Sequence, residues 1–307
     1  MTALRALAII LMVPLIYAAE FTYDNGPHGP SHWASLFPKE CAGSLQSPIN
    51  LKMSQATDKD LGKLELDTFF TSCKWPTGTV VNNGHAVQIA FNQEFVIGGG
   101  GLPGKQYKVA QLHYHFGSKN GQGSEHALNG RHYEAEMHLV TYDTKYPSFD
   151  EAVKNKDGLA VFAGMIEVGF FENHLYKDFL SAVKTVKYKG YSRKFSLPCC
   201  LVDLLPNDFG DFYRYRGSLT TPHCNEVVIW TVWRKPVRLS SAQIGVFRSL
   251  YSSEDHAVTK VPLADNYRPL QAVNGRKILY NGVHNYRWVL NLENVLFPPK
   301  TKSPYFV

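Results

Sequence analysis

Short runs in which apolar and polar residues alternate, each closed by Gly, Pro or Asn, recur along most of this 307-residue chain. A two-residue period puts successive side chains on opposite faces of an extended backbone, so it specifies strands buried on one face. Lys63–Asp67, Ala86–Phe91, Glu94–Ile97 and Lys108–His115 alternate in this way. Leu159–Phe162 and Val227–Trp233 are continuously apolar, the pattern of central strands covered on both faces. Helical signals are few. Ser148 and Glu151 form a capping box that opens a short helix ending near Gly158. Leu175, Phe179, Val183 and Val186 recur at helical spacing as a core-facing stripe, and Ser240–Tyr251 predicts a third helix. The glycine run Gly98–Gly101 follows a strand but precedes no helix with Lys-Ser/Thr, so it reads as a turn and not as a phosphate cradle. The expected fold class is α+β, β-dominated: one domain with a large, mainly antiparallel, twisted central sheet and short peripheral helices.

The N-terminus reads as an address. Arg5 precedes an apolar run, Ala6–Ile16, that ends at the small residues Ala18 and Ala19. That order is the pattern of a secretory signal peptide, expected over residues 1–19, and the run is too short to span a bilayer. A short N-terminal anchor is the alternative. The mature domain is then 20–307, secreted and extracellular, with no lipid-anchor signal at its C-terminus. Basic residues are scattered through the chain, which argues against nucleic acid as a partner. Five cysteines (Cys41, Cys73, Cys199, Cys200 and Cys224) include no CxxC pair, so thiolate-metal and redox-motif readings lack their spacing. Some should be oxidised in a secreted chain, but the residues alone do not assign the pairs. Nothing sets an oligomeric state.

His113-Tyr114-His115 closes one alternating run, so its two imidazoles share a face. Twelve histidines in 307 residues produce about half such a pair by chance, and the pair alone is weak. Glu134–Val140 adds weight: Glu136 and His138 fall on one face, and Ala135, Met137 and Leu139 on the other. A carboxylate two residues from a histidine can accept the ring N–H that does not face a metal. The Gly-, Ser- and Asn-rich stretch between the runs is long enough to return the chain antiparallel. Two ligands from one strand and one from its neighbour then make an open three-histidine zinc site with a fourth position for water.

Around this constellation stand Asn82-Asn-Gly-His85, Gly121-Gln-Gly-Ser-Glu-His126 and Gly217-Ser-Leu-Thr-Thr-Pro222. Together with the His-x-His and Glu-x-His runs they resemble the alpha-class carbonic anhydrases, secreted type, from about Tyr23 to Phe297. The resemblance implies a zinc-dependent reversible hydration of carbon dioxide to bicarbonate and a proton, with a zinc-held hydroxide as nucleophile. It implies His113, His115 and His138 as ligands, oriented by Gln111, the backbone carbonyl of Asn266 and Glu136 respectively. It matches Thr220 and Glu125 to the pair that orients the nucleophile, and His85 to a proton shuttle. Val140, Val161, Leu219 and Trp230 match the apolar wall for carbon dioxide, with Thr221 also lining the cavity. Tyr23, Asn83 and Gln88 match polar residues along the proton path. His126 matches a structural histidine; the role of His223 stays open. Cys41 and Cys224 fall where secreted members carry a disulfide. Departures are Phe116 and Tyr267 in place of common tryptophans and Val87 in place of a frequent phenylalanine. Rival expectations are a non-catalytic binding protein on the same fold and a zinc esterase.

Overall fold

The structure is a computed structural model and describes residues 21–67, 70, 76–104, 106–197 and 200–282. The expected signal peptide, Cys73, Cys199 and everything beyond Gly282 lie outside the described residues. Among the described residues, thirteen strands join one sheet. Its site-bearing strands are β1 (Thr77–Asn82), β2 (Val87–Phe91), β3 (Tyr107–Phe116), β4 (Ala135–Asp143), β5 (Leu159–Gly169), β6 (Phe212–Gly217) and β7 (Val228–Trp233). They run side by side in the order β1-β2-β3-β4-β5-β7-β6. Neighbours are antiparallel except β5 and β7, which are parallel. These are the two runs read as continuously apolar, and both are buried along most of their length. The sheet is thus mainly antiparallel, as expected, and its central parallel pair is covered on both faces.

The alternation divides the sheet into two faces. On one, Leu112, Tyr114, Phe116, Met137, Leu139 and Phe162 pack against Phe179 and Val183 of helix Lys177–Thr185 and Phe247 of helix Ser241–Arg248. Each large apolar side chain removed from water there contributes about 1.5–3 kcal/mol. The opposite face carries His113, His115, Glu136 and His138, with Val140, Val161 and Trp230 beside them. The helices are short: Ser148 caps Phe149–Ala152 by accepting from Glu151 N–H, a helix that ends before the Gly158 expected for it, and Ser240 and Gln243 complete a capping box that the reading did not include. One element of the reading needs correction. Leu175 is 46% exposed, and Tyr176 is buried in its place. The first turn, His174–Tyr176, is a 3-10 turn, whose tighter winding advances the phase and brings Tyr176 inward, its hydroxyl donating to Leu204 O at 2.6 Å.

Candidate active site

β3 and β4 pair so that His113 faces His138 and His115 faces Glu136 across the strands. A register shift between Val109 and Gln111 makes this possible. Val109 packs in the helix-side core with Leu112, yet an unbroken strand would put it on the same face as Gln111 and His113. One extra residue at Ala110 switches the parity and turns Gln111, His113 and His115 to the site face. The histidine-bearing half of β3 therefore owes its orientation to a bulge that the alternating pattern did not reveal.

Each imidazole is held by one nitrogen, and the other nitrogen is fixed as a lone pair. His113 Nδ1–H donates to Gln111 Oε1 at 2.8 Å, and His115 Nδ1–H to Asn266 O at 2.6 Å. His138 Nε2–H donates to Glu136 Oε1 at 2.7 Å. That leaves His113 Nε2, His115 Nε2 and His138 Nδ1 as acceptors, and the ligand atoms of the three lie within 4.8 Å of one another. His113 Nε2 and His115 Nε2 are 3.0 Å apart. Two lone pairs at that distance repel unless a cation sits against both. Loss of water holds the His113 imidazole well below its usual pKa, with His115 and His138 adding to the effect. Burial lowers His115 too, against the pull of Glu125. Both rings are therefore neutral ligands at physiological pH. Three imidazole nitrogen donors, each ring oriented by a separate acceptor, fit zinc in an open site.

Glu136 is fully buried, and burial opposes its charge. The charge survives because His126 and His138 outweigh the desolvation and hold the carboxyl well below the usual range. Oε1 accepts from His126 Nδ1–H at 2.7 Å as well as from His138, and Oε2 accepts from His126 N–H at 2.8 Å. The chain continues outward: Tyr215 O–H donates to His126 Nε2 at 2.6 Å and accepts from Ser47 O–H at 2.8 Å. Sequence reasoning did not find Tyr215 or Ser47, whose positions on distant segments carry no motif.

Glu125 sits in the loop between β3 and β4, fully buried. Its Oε1 accepts from Arg268 N–H at 2.8 Å. Among the described residues Oε2 has no hydrogen-bond partner, so the hydrogen bond expected from Thr220 is not made here. Oε2 lies 3.5 Å from His115 Nε2 and 3.9 Å from His138 Nδ1. A buried, unpartnered carboxylate oxygen beside converging lone pairs is a second feature that a cation at this point would satisfy. Thr220 itself is buried, in a loop locked to the body: Ser47 N–H donates to Ser218 Oγ, Ser218 N–H to Ser47 Oγ, and the Trp230 indole N–H to Ser218 O. Cys224 closes the loop with a disulfide to Cys41. That is the pairing the resemblance implied. Cys200 is also disulfide-bonded.

The remaining predicted residues fall into two groups flanking the histidines. Val140, Val161 and Trp230 are direct partners across β4, β5 and β7, forming one row next to His138. The Trp230 ring lies 4.9 Å from that of His138, and Leu219 packs on the same cluster. On the other side, Gln88 of β2 is the register partner of His113 and accepts from Asn83 Nδ2–H at 3.5 Å. Asn83 Oδ1 in turn accepts from His85 N–H and Ala86 N–H, shaping the turn that presents His85. Asn266 Nδ2–H donates to His85 O, so one residue braces both His85 and the ligand His115. His85 and Tyr23 also line a cavity of about 980 Å³. Burial first, and the Glu125 charge second, raise the Tyr23 phenol well above its usual pKa, keeping it a neutral hydroxyl. Thr221, half-buried, accepts from Cys224 N–H through its carbonyl.

Three converging imidazoles on a twisted sheet that could hold a metal ion, with an apolar row beside them, are the arrangement of a zinc enzyme. The chain belongs to the eukaryotic-type carbonic anhydrase family, whose profile matches residues 28–282. It is 37% identical to human carbonic anhydrase 3 over 267 residues, 85% of this chain and 98% of that protein. It is 35% identical to dog carbonic anhydrase 6 over 291 residues, 92% of this chain and 88% of the relative. With human carbonic anhydrase 12 it shares 35% over 289 residues, 90% and 79% of the two chains. It is accordingly a carbonate dehydratase, which interconverts carbon dioxide with bicarbonate and a proton and uses zinc.

Proposed function

We propose that His113 Nε2, His115 Nε2 and His138 Nδ1 hold the zinc ion, and that the observation carrying this assignment is the convergence of their three fixed lone pairs. Zinc there supplies Lewis acidity that lets water yield a nucleophile near neutral pH, with an apparent pKa of about 7 in carbonic anhydrases, the reference case for the effect. Gln111, Asn266 O and Glu136 keep the tautomers that make this possible. With the imidazole lone pairs engaged, Thr220 O–H is the donor that the family resemblance assigns to Glu125 Oε2. An ionised carboxylate only accepts, so Thr220 must give its hydrogen to Glu125 and can then only accept from the attacking oxygen. That fixes the attacking oxygen's hydrogen and turns a lone pair toward the row Val140, Val161, Leu219 and Trp230, where weakly polar carbon dioxide rests. Thr221 lines the same space.

His85 carries the product proton out, helped by waters held by Tyr23, Asn83 and Gln88. An acid of pKa about 7 releases protons to bare water at about 10³–10⁴ per second, whereas fast enzymes of this class reach about 10⁶. A relay that titrates near neutrality closes that gap. In weak buffer, His85→Ala should lower turnover by about 100- to 1,000-fold, and added imidazole should restore it. An undiminished rate would remove His85 from the pathway.

The mature chain is secreted, as a single domain over 20–307. The apolar leader with its small-residue exit supports this, as do the disulfides at Cys41–Cys224 and Cys200, which persist in oxidising compartments. No helix among the described residues is long and apolar enough to cross a membrane. Carbon dioxide and bicarbonate are its small-molecule partners.

A further inference from the structure

One stretch departs from the general scatter of basic residues: Lys184, Lys187, Lys189, Arg193 and Lys194 follow closely, with no acid between them. The stretch runs into the strand Ser192–Ser196, which pairs with β1 alone among the described residues and so forms one edge of the sheet. Phe195 packs into the helix-side core against Phe179. The two-residue period then puts Arg193 on that face and Lys194 on the opposite one. Lys184 is exposed in the last turn of helix Lys177–Thr185, on the Arg193 side. The cations thus wrap a sheet edge from both faces.

The tyrosines between them hold lysines in place. Tyr188 is stacked on Tyr251, with centroids 5.3 Å apart and planes inclined by 12°. The Lys187 ammonium lies 5.6 Å and 5.4 Å from the two centroids, and that of Lys260 lies 4.8 Å from the Tyr188 centroid. A cation held over a ring keeps its outward N–H bonds for another acceptor. Among the described residues no carboxylate pairs with Lys184, Lys187, Arg193 or Lys194. Glu254 and Asp255, the acids across an adjoining recess of about 430 Å³, are engaged by His256 and Lys260, and Asp255 also accepts from the Tyr191 hydroxyl.

We propose that this edge is a binding surface for a sulfated polysaccharide. Sulfate esters stay anionic throughout the physiological range, and their oxygens suit the forked guanidinium of Arg193 and the ammonium groups of the lysines. Other polyanions fit the geometry less well. A DNA duplex is stiff over about 50 nm and a bilayer is flat, so either meets only one face of the edge, whereas a flexible single chain can follow the cations round it. Single-stranded nucleic acid needs ring faces for its bases, and those of Tyr188 and Tyr251 are taken by each other and by the two ammonium groups.

The test is calorimetric titration of the zinc-loaded mature protein with heparin oligosaccharides. Four engaged cations, each releasing about 0.7 of a counterion, weaken binding about 50-fold between 50 and 200 mM NaCl. Arg193→Gln with Lys194→Gln, and separately Lys184→Gln with Lys187→Gln, should each cut that factor to about sevenfold and weaken binding at 50 mM by about tenfold or more. Hydration kcat/KM should be unchanged in both. Lys52→Gln with Lys59→Gln removes the same charge beside the strand Ala56–Asp58, at the opposite end of the sheet, and should bind heparin as the parent does. Absence of binding at 50 mM would overturn the proposal, and so would an equal loss in the Lys52 and Lys59 pair, which would reduce the effect to net charge. Oligothymidylate of matched charge, or phosphatidylserine vesicles, binding as tightly as heparin through the same cations would overturn it in favour of nucleic acid or a membrane. Should one double variant not fold, the other decides the matter alone.

Discussion

Replacing both Cys41 and Cys224 by alanine tests how strongly the loop bearing Thr220 and Thr221 is tied to the N-terminal arm. The two residues are 183 apart in sequence, with Cα atoms at 4.9 Å. Cross-linking so large a loop restricts the denatured chain by about 5 kcal/mol at 25 °C in the chain-entropy treatment. Cys200, itself disulfide-bonded, lies inside the same stretch, so part of that entropy is already lost in the parent. About 2–5 kcal/mol is the expected cost. Both sulfurs are buried against Phe21 and Trp33, and their loss from that packing adds to the effect. For a domain of this size the change corresponds to a fall in Tm of roughly 5–15 °C. Calorimetry of zinc-loaded parent and double variant, under non-reducing conditions, measures it. A double variant that melts within about 2 °C of the parent would refute the tie as a stabilising element.

Thr220→Ala should keep its zinc and lose about 100-fold in kcat/KM for carbon dioxide, the scale of one positioned hydrogen bond lost from a transition state. Metal analysis and stopped-flow hydration on the same sample check both halves, and full activity would end the assignment. Tyr107 offers a test by pH. Burial first, then Asp143, push its phenol to about 12, above the unfolded value of about 10. The folded protein therefore holds this proton longer than the unfolded chain does. Its contribution to stability is complete below about pH 10 and is lost as pH rises toward about 12. Urea unfolding at pH 8 and pH 11 should show a smaller loss in Tyr107→Phe than in the parent, with Tyr280, also pushed to about 12, maintaining part of the slope. Equal losses in the two proteins would count against it.

The clustering of the histidines was legible because strand periodicity states which side chains share a face, and His113, His115, Glu136 and His138 obey it over short spans. The bulge at Ala110 was not, since one inserted residue changes parity without altering residue types. Trp230, Val161 and Val140 could be named from the family resemblance, but their alignment in one row required the parallel pairing of β5 with β7, which continuous apolar runs allow without dictating. Tyr215, Ser47 and Arg268 escaped notice for a different reason. Each reaches the site from a segment far away in sequence, and a lone hydroxyl or a backbone N–H carries no local pattern. Leu175 was misplaced because a 3-10 turn and an α turn share the same apolar residues while differing in winding.

The account stands on three imidazoles holding one zinc ion that hydration cannot do without. The direct measurement is zinc content and carbon dioxide hydration together, on the purified protein before and after chelation and on His113→Ala. One zinc per chain, loss of hydration with the metal, recovery on adding zinc back, and a His113→Ala protein that is folded but deficient in both are the expected results. Hydration that persists in fully metal-free protein, or a His113→Ala variant with full zinc content and full activity, would contradict it.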